Sequence, residues 1–91
     1  MNKQAIYRTI KRAHESQAPV EYTYLDIRSE IRKTINELPG KLEELMVECK
    51  SLGRVYQYDR DYVLFITEES GDEIDYTIMH QALLKEVRIL K

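Results

Sequence analysis

The sequence predicts a single α+β domain in which three helices form the core and a β-hairpin follows them. Two helical patterns lie on either side of a Pro39-Gly40 turn, and Gly53 stands where the second of them ends. Two runs rich in aromatic and β-branched residues come next, at residues 54–58 and 62–66, as in a hairpin. We therefore expect a core over residues 1–66, an acidic loop over 67–75 and an additional C-terminal helix over 76–90, all in one domain spanning 1–91.

The first helix is predicted to run from Asn2 to about residue 16. Asn2 is a favourable N-cap, and Ile6, Ile10 and Ala13 recur at helical spacing. Four basic side chains fall mostly outside this apolar stripe: Lys3, Arg8, Lys11 and Arg12. They form either the solvated face of a packing helix or a surface that contacts phosphate groups.

The second and third helices are predicted between Thr23 and Leu52, after a short strand at residues 20–22. Thr23 and Asp26 stand at the spacing of a capping box, which favours a helix start there. The apolar stripe of the second helix is Ile27, Ile31, Ile35 and Leu38. That of the third helix is Leu42, Leu45, Met46, Cys49 and Leu52. Pro39 disfavours helical geometry at the residue before it, so the chain is expected to turn between the two helices.

The C-terminal third combines an acidic segment with another helical pattern. Residues 67–75 read TEESGDEID and lack the residue order of an EF-hand loop, so a solvated loop is expected rather than a calcium site. Asp75 is a possible N-cap for the last helix. Residues 87–90 remain open at this stage, since Val-Arg-Ile-Leu also suits a short strand.

Composition excludes several classes of protein. Cys49 is the single cysteine and the chain has two histidines, so neither a disulfide scaffold nor a usual zinc site is expected. No apolar run reaches the roughly 20 residues of a membrane span, and the first residues lack the apolar core of a signal peptide. We expect a cytoplasmic protein that needs no cofactor.

Catalytic signatures are not recognisable in the sequence. His14 and His80 are far apart, and neither belongs to a familiar serine, cysteine or carboxylate constellation. The chain also lacks a glycine-rich phosphate loop. The sequence therefore predicts a protein that is not an enzyme.

The predicted order of helices and hairpin resembles the winged helix-turn-helix superfamily. The resemblance covers about residues 1–66, and its most telling stretch is KSLGRVYQYDRDYVLFI, where leucine-glycine leads into the hairpin. It implies a third helix that enters the major groove of DNA and a hairpin wing that reaches phosphates or the minor groove. Many members of that superfamily instead bind proteins.

Charge placement modifies this expectation. Residues 1–41 carry eight Lys/Arg against five Asp/Glu, whereas residues 42–91 carry six against eleven. Glutamates at 43, 44 and 48 on the predicted third helix would approach DNA phosphates unfavourably. We expect a regulator of transcription that contacts double-stranded DNA mainly through phosphates. The residues predicted to do so are Arg28, Arg32, Lys33, Lys41, Lys50, Arg54 and Arg60.

The alternative is a module that binds another protein, or inhibits it, through acidic and tyrosine-bearing surfaces. The chain contains seven tyrosines and no tryptophan, and Tyr56, Tyr58 and Tyr62 fall on the predicted hairpin. A partner with a basic surface would suit the acidic segments. The apolar side of the predicted last helix, with Met79, Leu83 and Val87, either covers the three-helix core or forms a homodimer contact, and we expect the homodimer.

Overall fold

The protein is a mostly β domain with a single α-helix among the residues that the structure describes. The computed structural model describes residues 1–27, 34–37, 40–41, 46–71 and 73–90. Helix α1 is Lys3–Ser16, and the strands are β1 (Val20–Ile27), β2 (Met46–Tyr58), β3 (Tyr62–Ser70), β4 (Glu73–His80) and β5 (Leu84–Ile89). Short 3-10 helices lie at Ile35–Glu37 and Gln81–Leu83.

The five strands form one antiparallel sheet in the order β4-β3-β2-β1-β5. Strand β2 is the longest, and its two halves have different partners. Residues Met46 to Gly53 pair with β1, and residues Arg54 to Tyr58 pair with β3. The sheet therefore changes direction along β2, near Gly53.

The sheet is strongly curled around its core. Tyr22 on β1 and Phe65 on β3 belong to strands that are separated by β2, a spacing of about 10 Å in a flat sheet. Their rings nevertheless stack with centroids 3.8 Å apart and an interplanar angle of 3°. At Gly53 the backbones approach so closely that a Cβ atom would lie 2.6 Å from the carbonyl oxygen of Ile66. Glycine is thus required where β2 passes β3.

Helix α1 covers part of the concave side of this sheet. Its buried side chains Ile6, Ile10 and Ala13 join a core to which every strand contributes at least one side chain. The strand residues of this core are Val20, Tyr22, Val55, Val63, Phe65, Met79, Leu84 and Val87. Because side chains alternate along a strand, the intervening residues lie on the opposite side of the sheet. We call that side, facing away from α1, the open face.

Three local sequence predictions agree with the structure, and one of them is the short strand at residues 20–22, which forms the start of β1. The first helix is present, and the Asn2 side chain caps it by accepting a hydrogen bond from the Ala5 N–H at 2.8 Å. The hairpin strands at 54–58 and 62–66 also exist, joined by a turn at residues 59–61. Both are longer than predicted, since β2 begins at Met46 and β3 extends to Ser70.

The winged-helix prediction is wrong because the second and third helices are replaced by strands. Residues from Thr23 to Ile27 belong to β1, and residues from Met46 to Leu52 belong to β2. Predicted helical residues 28–33, 38–39 and 42–45 lie outside the described part of the chain. On β2, Cys49 faces the core side and the exposed Leu52 lies on the open face. Because apolar side chains lie on both sides of this strand, their spacing along the sequence resembled the apolar stripe of a helix.

The predicted acidic loop and C-terminal helix are also wrong. Residues 67–75 contain the end of β3, a turn at Gly71 with φ of 62°, and the start of β4. The segment predicted as one helix over 76–90 contains β4, a 3-10 helix and β5. On β4, Tyr76 and Ile78 point to the open face while Met79 enters the core, so this strand too is apolar on both sides. Of the segment left open at 87–90, residues 87–89 form the end of β5.

Candidate functional site

The residues predicted to contact DNA lie on different surfaces. Lys50 and Arg54 are on the open face of β2, and Arg60 is exposed in the turn between β2 and β3. Lys41 is exposed in a bend. Arg28, Arg32 and Lys33 lie outside the described residues. The four described members of this predicted set therefore do not all lie on one surface.

A different basic surface is formed by α1. The helix packs on the sheet with Ile6, Ile10 and Ala13, which leaves its basic residues exposed on the outer side. Its sequence KQAIYRTIKRAHES carries one acidic residue, Glu15. Together with Arg60 these side chains define the basic face: Lys3, Arg8, Lys11, Arg12 and Arg60. The amphipathic pattern of the helix already indicated the first four, as one of two interpretations.

Arg60 is presented by a tightly bonded turn. The Asp59 carboxylate accepts hydrogen bonds from the N–H groups of Asp61 at 2.8 Å and Tyr62 at 2.7 Å. These two hydrogen bonds, first that from Tyr62 and then that from Asp61, lower the pKa of Asp59 below its ordinary value. The Asp59 N–H also donates to the Tyr62 carbonyl at 3.0 Å, which closes the hairpin. Asp59 therefore holds the backbone on both sides of Arg60.

Gln81 connects this turn to the end of β4. The Gln81 side chain is buried, and its amide nitrogen donates to the carbonyls of Asp59 at 2.6 Å and Tyr62 at 3.2 Å. Its backbone N–H donates to the Asp61 carbonyl at 2.6 Å. A buried amide that satisfies several carbonyls fixes the geometry of the segments that carry them. The turn is thereby anchored to the body of the domain.

A cleft of about 610 Å³ separates the start of α1 from this turn. One wall is helical, the second is the β2–β3 turn, and the third is the junction of β4 with the following 3-10 helix. The lining residues include the cations Lys3, Arg8 and Arg60, one carboxylate, Asp61, and the imidazole of His80. Side chains of Ile6, Tyr7 and Ala82 add apolar surface. Three cations around one concave site favour binding of an anionic group.

Aromatic contacts hold the walls of this cleft in place. The Tyr58 ring meets Tyr7 edge to face at 5.7 Å and His14 at 5.3 Å, joining β2 to α1. The His80 ring meets Tyr62 at 5.1 Å. His80 Nδ1 accepts a hydrogen bond from the Ala82 N–H at 3.0 Å. When His80 is neutral, its proton is therefore on Nε2.

The residues predicted to bind a partner divide between core and surface. Met79 and Val87 are buried in the core, Leu83 is half-buried, and Tyr58 packs against the core. The first three were assigned to a helical dimer contact, and that assignment is wrong because the helix does not exist. Tyr56 and Tyr62 are exposed, so the tyrosine-bearing surface remains a prediction.

The open face carries an apolar surface that sequence analysis missed. Leu52 on β2 and Tyr76 and Ile78 on β4 expose 59%, 63% and 57% of their surfaces on this face. Tyr62, Leu64 and Ile78 line one shallow groove there. The sequence does contain a signal for this surface, since apolar residues occupy every second position at 74, 76 and 78 as in a strand. The same segment also fits a helical pattern, which was preferred.

The described residues were also compared with the requirements of a metal site and of a membrane-spanning helix. In that part of the chain, His, Cys, Asp and Glu side chains do not form a group of three or more placed to hold a metal ion. Nor does any helix described there have the length and apolar character to cross a membrane. Comparison with models of known protein families, with curated proteins and with solved structures finds no match to this chain.

Proposed function

We propose that this protein binds duplex DNA through the phosphate backbone, using the basic face. The observation that carries the proposal is the convergence of Lys3 and Arg8 with Arg60 around one cleft, next to the exposed Lys11 and Arg12. Such a surface contacts backbone phosphates, which fix position on the duplex without reading its sequence. The proposal involves no recognition helix.

The dimensions of α1 suit this mode of contact. From Lys3 to Arg12 the helix rises nine residues, about 14 Å. That length matches the rise of about four base-pair steps along one strand. Nine residues at about 100° each place Lys3 and Arg12 on opposite flanks of the helix, so the cations would reach phosphates on both sides of it. Each contact would release condensed counterions. The affinity for duplex DNA should therefore depend on the number of phosphate contacts.

Charge segregation supports the same orientation. Helix α1 carries four Lys/Arg against Glu15, whereas Glu73 and Asp75 are exposed at the start of β4. In the β2–β3 turn, Arg60 lies between the carboxylates of Asp59 and Asp61, so the positive charge of the basic face comes mainly from α1. The formal charge of −2 for the whole chain therefore hides a locally basic surface. A locally basic surface on an acidic protein gives weak, salt-sensitive binding, with a dissociation constant of about 10⁻⁴ to 10⁻⁶ M at physiological salt.

Fluorescence anisotropy with labelled duplex DNA tests the proposal. Four or five phosphate contacts predict a slope of log K against log salt of about −3.6 to −4.5 between about 50 and 200 mM salt. A double variant, Arg8→Gln with Arg12→Gln, should weaken binding and make the slope less negative by about 1.8. Binding should be indifferent to the sequence of the duplex.

A charge-matched control separates the basic face from general electrostatic attraction. Lys50→Gln with Arg88→Gln removes the same charge from exposed positions on the open face. Arg88 pairs with Glu21 at 3.0 Å, and an exposed pair of this kind contributes little to stability. This control should bind as the parent does. Equal loss in both double variants, or no binding at micromolar protein in low salt, would refute the proposal.

A further inference from the structure

Strand β4 forms an edge of the sheet whose second half, from Tyr76 to Met79, carries no charged residue and no proline. Its one neighbour in the strand order is β3, so one side of its backbone faces away from the sheet. Soluble proteins protect such edges with lysine, proline or charged side chains. The sequence of β4, EIDYTIMH, has no lysine, arginine or proline, and its two carboxylates, Glu73 and Asp75, lie in its first half. On the opposite edge, β5 carries Lys85, Glu86 and Arg88, all exposed.

The open-face side chains of β4 add an apolar stripe to this edge. Ile74, Tyr76 and Ile78 follow one another at every second residue and expose 48%, 63% and 57% of their surfaces. Large apolar groups exposed in a row are uncommon on a monomer and are typical of protein contacts. The edge therefore offers backbone hydrogen bonds and an apolar stripe together.

The sequence of β4 is complementary to itself in an antiparallel arrangement. When a strand pairs with its own copy about a two-fold axis, one residue lies opposite its own equivalent. Centring the axis on Ile74 would place Glu73 opposite Asp75, and centring it on Asp75 would place two carboxylates opposite each other. Like charges in these positions are unfavourable. Both registers are therefore disfavoured.

Centring the axis on Tyr76 moves the carboxylates out of directly opposite positions, with Asp75 and its equivalent as diagonal neighbours about 7–8 Å apart. Ile74 then lies opposite Ile78 of the second copy, Tyr76 opposite Tyr76, and Asp75 opposite Thr77. All three apolar pairs fall on the open face, where cross-strand pairs of this type are stabilising. Centring on Thr77 also separates the carboxylates, but it forms two apolar pairs and leaves Ile74 opposite His80. Tyr76 is the better centre.

We propose that two copies of this chain pair through β4, with the two-fold axis at Tyr76, to form one continuous sheet of ten strands. The occupant of the edge is a second copy because this register pairs Ile74 with Ile78 and Tyr76 with Tyr76 while it keeps carboxylates out of directly opposite positions. The contact is isologous, so it closes after two chains and leaves only the charged β5 edges exposed. The contact does not depend on DNA binding, because it leaves α1 and Arg60 untouched.

Light scattering after size exclusion gives the first test. At about 100 μM the protein should have twice the 10.8 kDa mass of one chain. Tyr76→Glu places two carboxylates face to face and should raise the dissociation constant at least tenfold. Leu52→Glu is the matched control, because Leu52 is equally exposed on the same face but lies on an interior strand. Circular dichroism checks that both variants keep their strands.

Cysteine cross-linking tests the register in a Cys49→Ser background. In the proposed register the two Tyr76→Cys positions face each other with Cα atoms about 4.5–5.5 Å apart, within reach of a disulfide. The two Ile74→Cys positions would be about 13 Å apart and should not cross-link. Cross-linking of Ile74→Cys as fast as Tyr76→Cys would overturn the register. A mass of one chain at every concentration, or of more than two chains, would overturn the dimer.

Discussion

Tyr22 and Phe65 stack face to face at 3.8 Å, although the strand between them keeps their backbones apart. Both rings are buried, with exposures of 1% and 0%. The Tyr22 hydroxyl also makes hydrogen bonds with the side chains of Thr77 on β4 and Ser51 on β2. A single side chain thus connects four of the five strands, and it does so only because the sheet is curled.

Truncation of Phe65 should therefore be severe. Phe65→Ala removes a fully buried ring and its stacking contact with Tyr22, and we expect the free energy of unfolding to fall by about 3–5 kcal/mol. Urea titration of the variant and the parent measures the difference. Tyr56→Ala is the control, since Tyr56 is 53% exposed, and it should cost less than about 1 kcal/mol. Similar losses in the two variants would mean that the stack contributes little.

Because of Tyr22, the free energy of unfolding should depend on pH in the alkaline range. Burial raises the pKa of Tyr22 above its ordinary value of 10.0 because the charged phenolate is poorly solvated there. The folded state then holds its proton more tightly than the unfolded state does. The corresponding stability is fully present below pH 10 and is lost as the pH rises towards the raised pKa. The unfolding free energy measured in urea should fall over that range.

The Tyr22→Phe variant isolates this effect. It should lose about 0.5–1.5 kcal/mol at neutral pH for each hydrogen bond removed, to Thr77 and to Ser51. Above pH 10 its unfolding free energy should decline less steeply than that of the parent. Tyr62→Phe, at an exposed tyrosine, should keep the parent's slope. Identical slopes for the parent and Tyr22→Phe would contradict the assigned cause.

The sequence predicted the parts of the fold that depend on local signals. Helix α1 has an unambiguous cap at Asn2 and an apolar stripe on one side only, so its period is clear. The β2–β3 hairpin follows from aromatic and β-branched runs around Asp59. Both features are determined by neighbouring residues, which is why they were recognised.

Of the other strands, only the start of β1 at residues 20–22 was predicted and only the end of β5 was left open. The rest was missed because apolar residues fall on both sides of the sheet. On β4, Ile78 lies on the open face and Met79 lies in the core, and such adjacent pairs satisfy a helical period as well as a strand. The curl that brings Tyr22 to Phe65 depends on contacts between residues far apart in the sequence. Hydrophobic periodicity reports only on neighbouring residues and could not predict these contacts. The same limit applies to the basic face, since joining Arg60 to Arg8 requires the packing of α1 against the sheet.

Gly53 should tolerate no side chain. A Cβ atom there would lie 2.6 Å from the Ile66 carbonyl oxygen, so β2 and β3 would have to separate. We expect Gly53→Ala to lower the free energy of unfolding by about 1–3 kcal/mol, as measured by thermal or urea unfolding. Gly40→Ala is the control, because a Cβ atom there meets nothing within 4 Å. Equal stability of Gly53→Ala and the parent would show that the two strands can separate at no cost.

Gln81 should be needed to hold the β2–β3 turn. Gln81→Leu keeps the apolar packing but leaves the carbonyls of Asp59 and Tyr62 without the amide donor, and we expect a loss of about 1–3 kcal/mol. Gln57→Leu changes an exposed glutamine on β2 and should be close to neutral. Urea unfolding compares the two. A neutral Gln81→Leu would indicate that those carbonyls gain other donors.

Asp59 should titrate at lower pH than an ordinary aspartate, because its carboxylate accepts the N–H groups of Tyr62 and Asp61. Carbon-detected NMR of the side-chain carboxyl should give a pKa below 3.8. The linked stability is present above that ordinary value and is lost as the pH falls through the lowered pKa. The amide protons of Tyr62 and Asp61 should change chemical shift over the same acid range.

The Asp59→Asn variant provides the control for this turn. Its side-chain oxygen still accepts from both N–H groups but carries no charge, so the turn should persist without the acid transition. Asp59→Ala removes the acceptor, and hydrogen exchange of the Tyr62 amide should become faster at neutral pH. If the Tyr62 amide exchanges equally slowly in the Ala variant, the carboxylate does not hold the turn. In that case the anchoring of Arg60 would rest on the Gln81 hydrogen bonds alone.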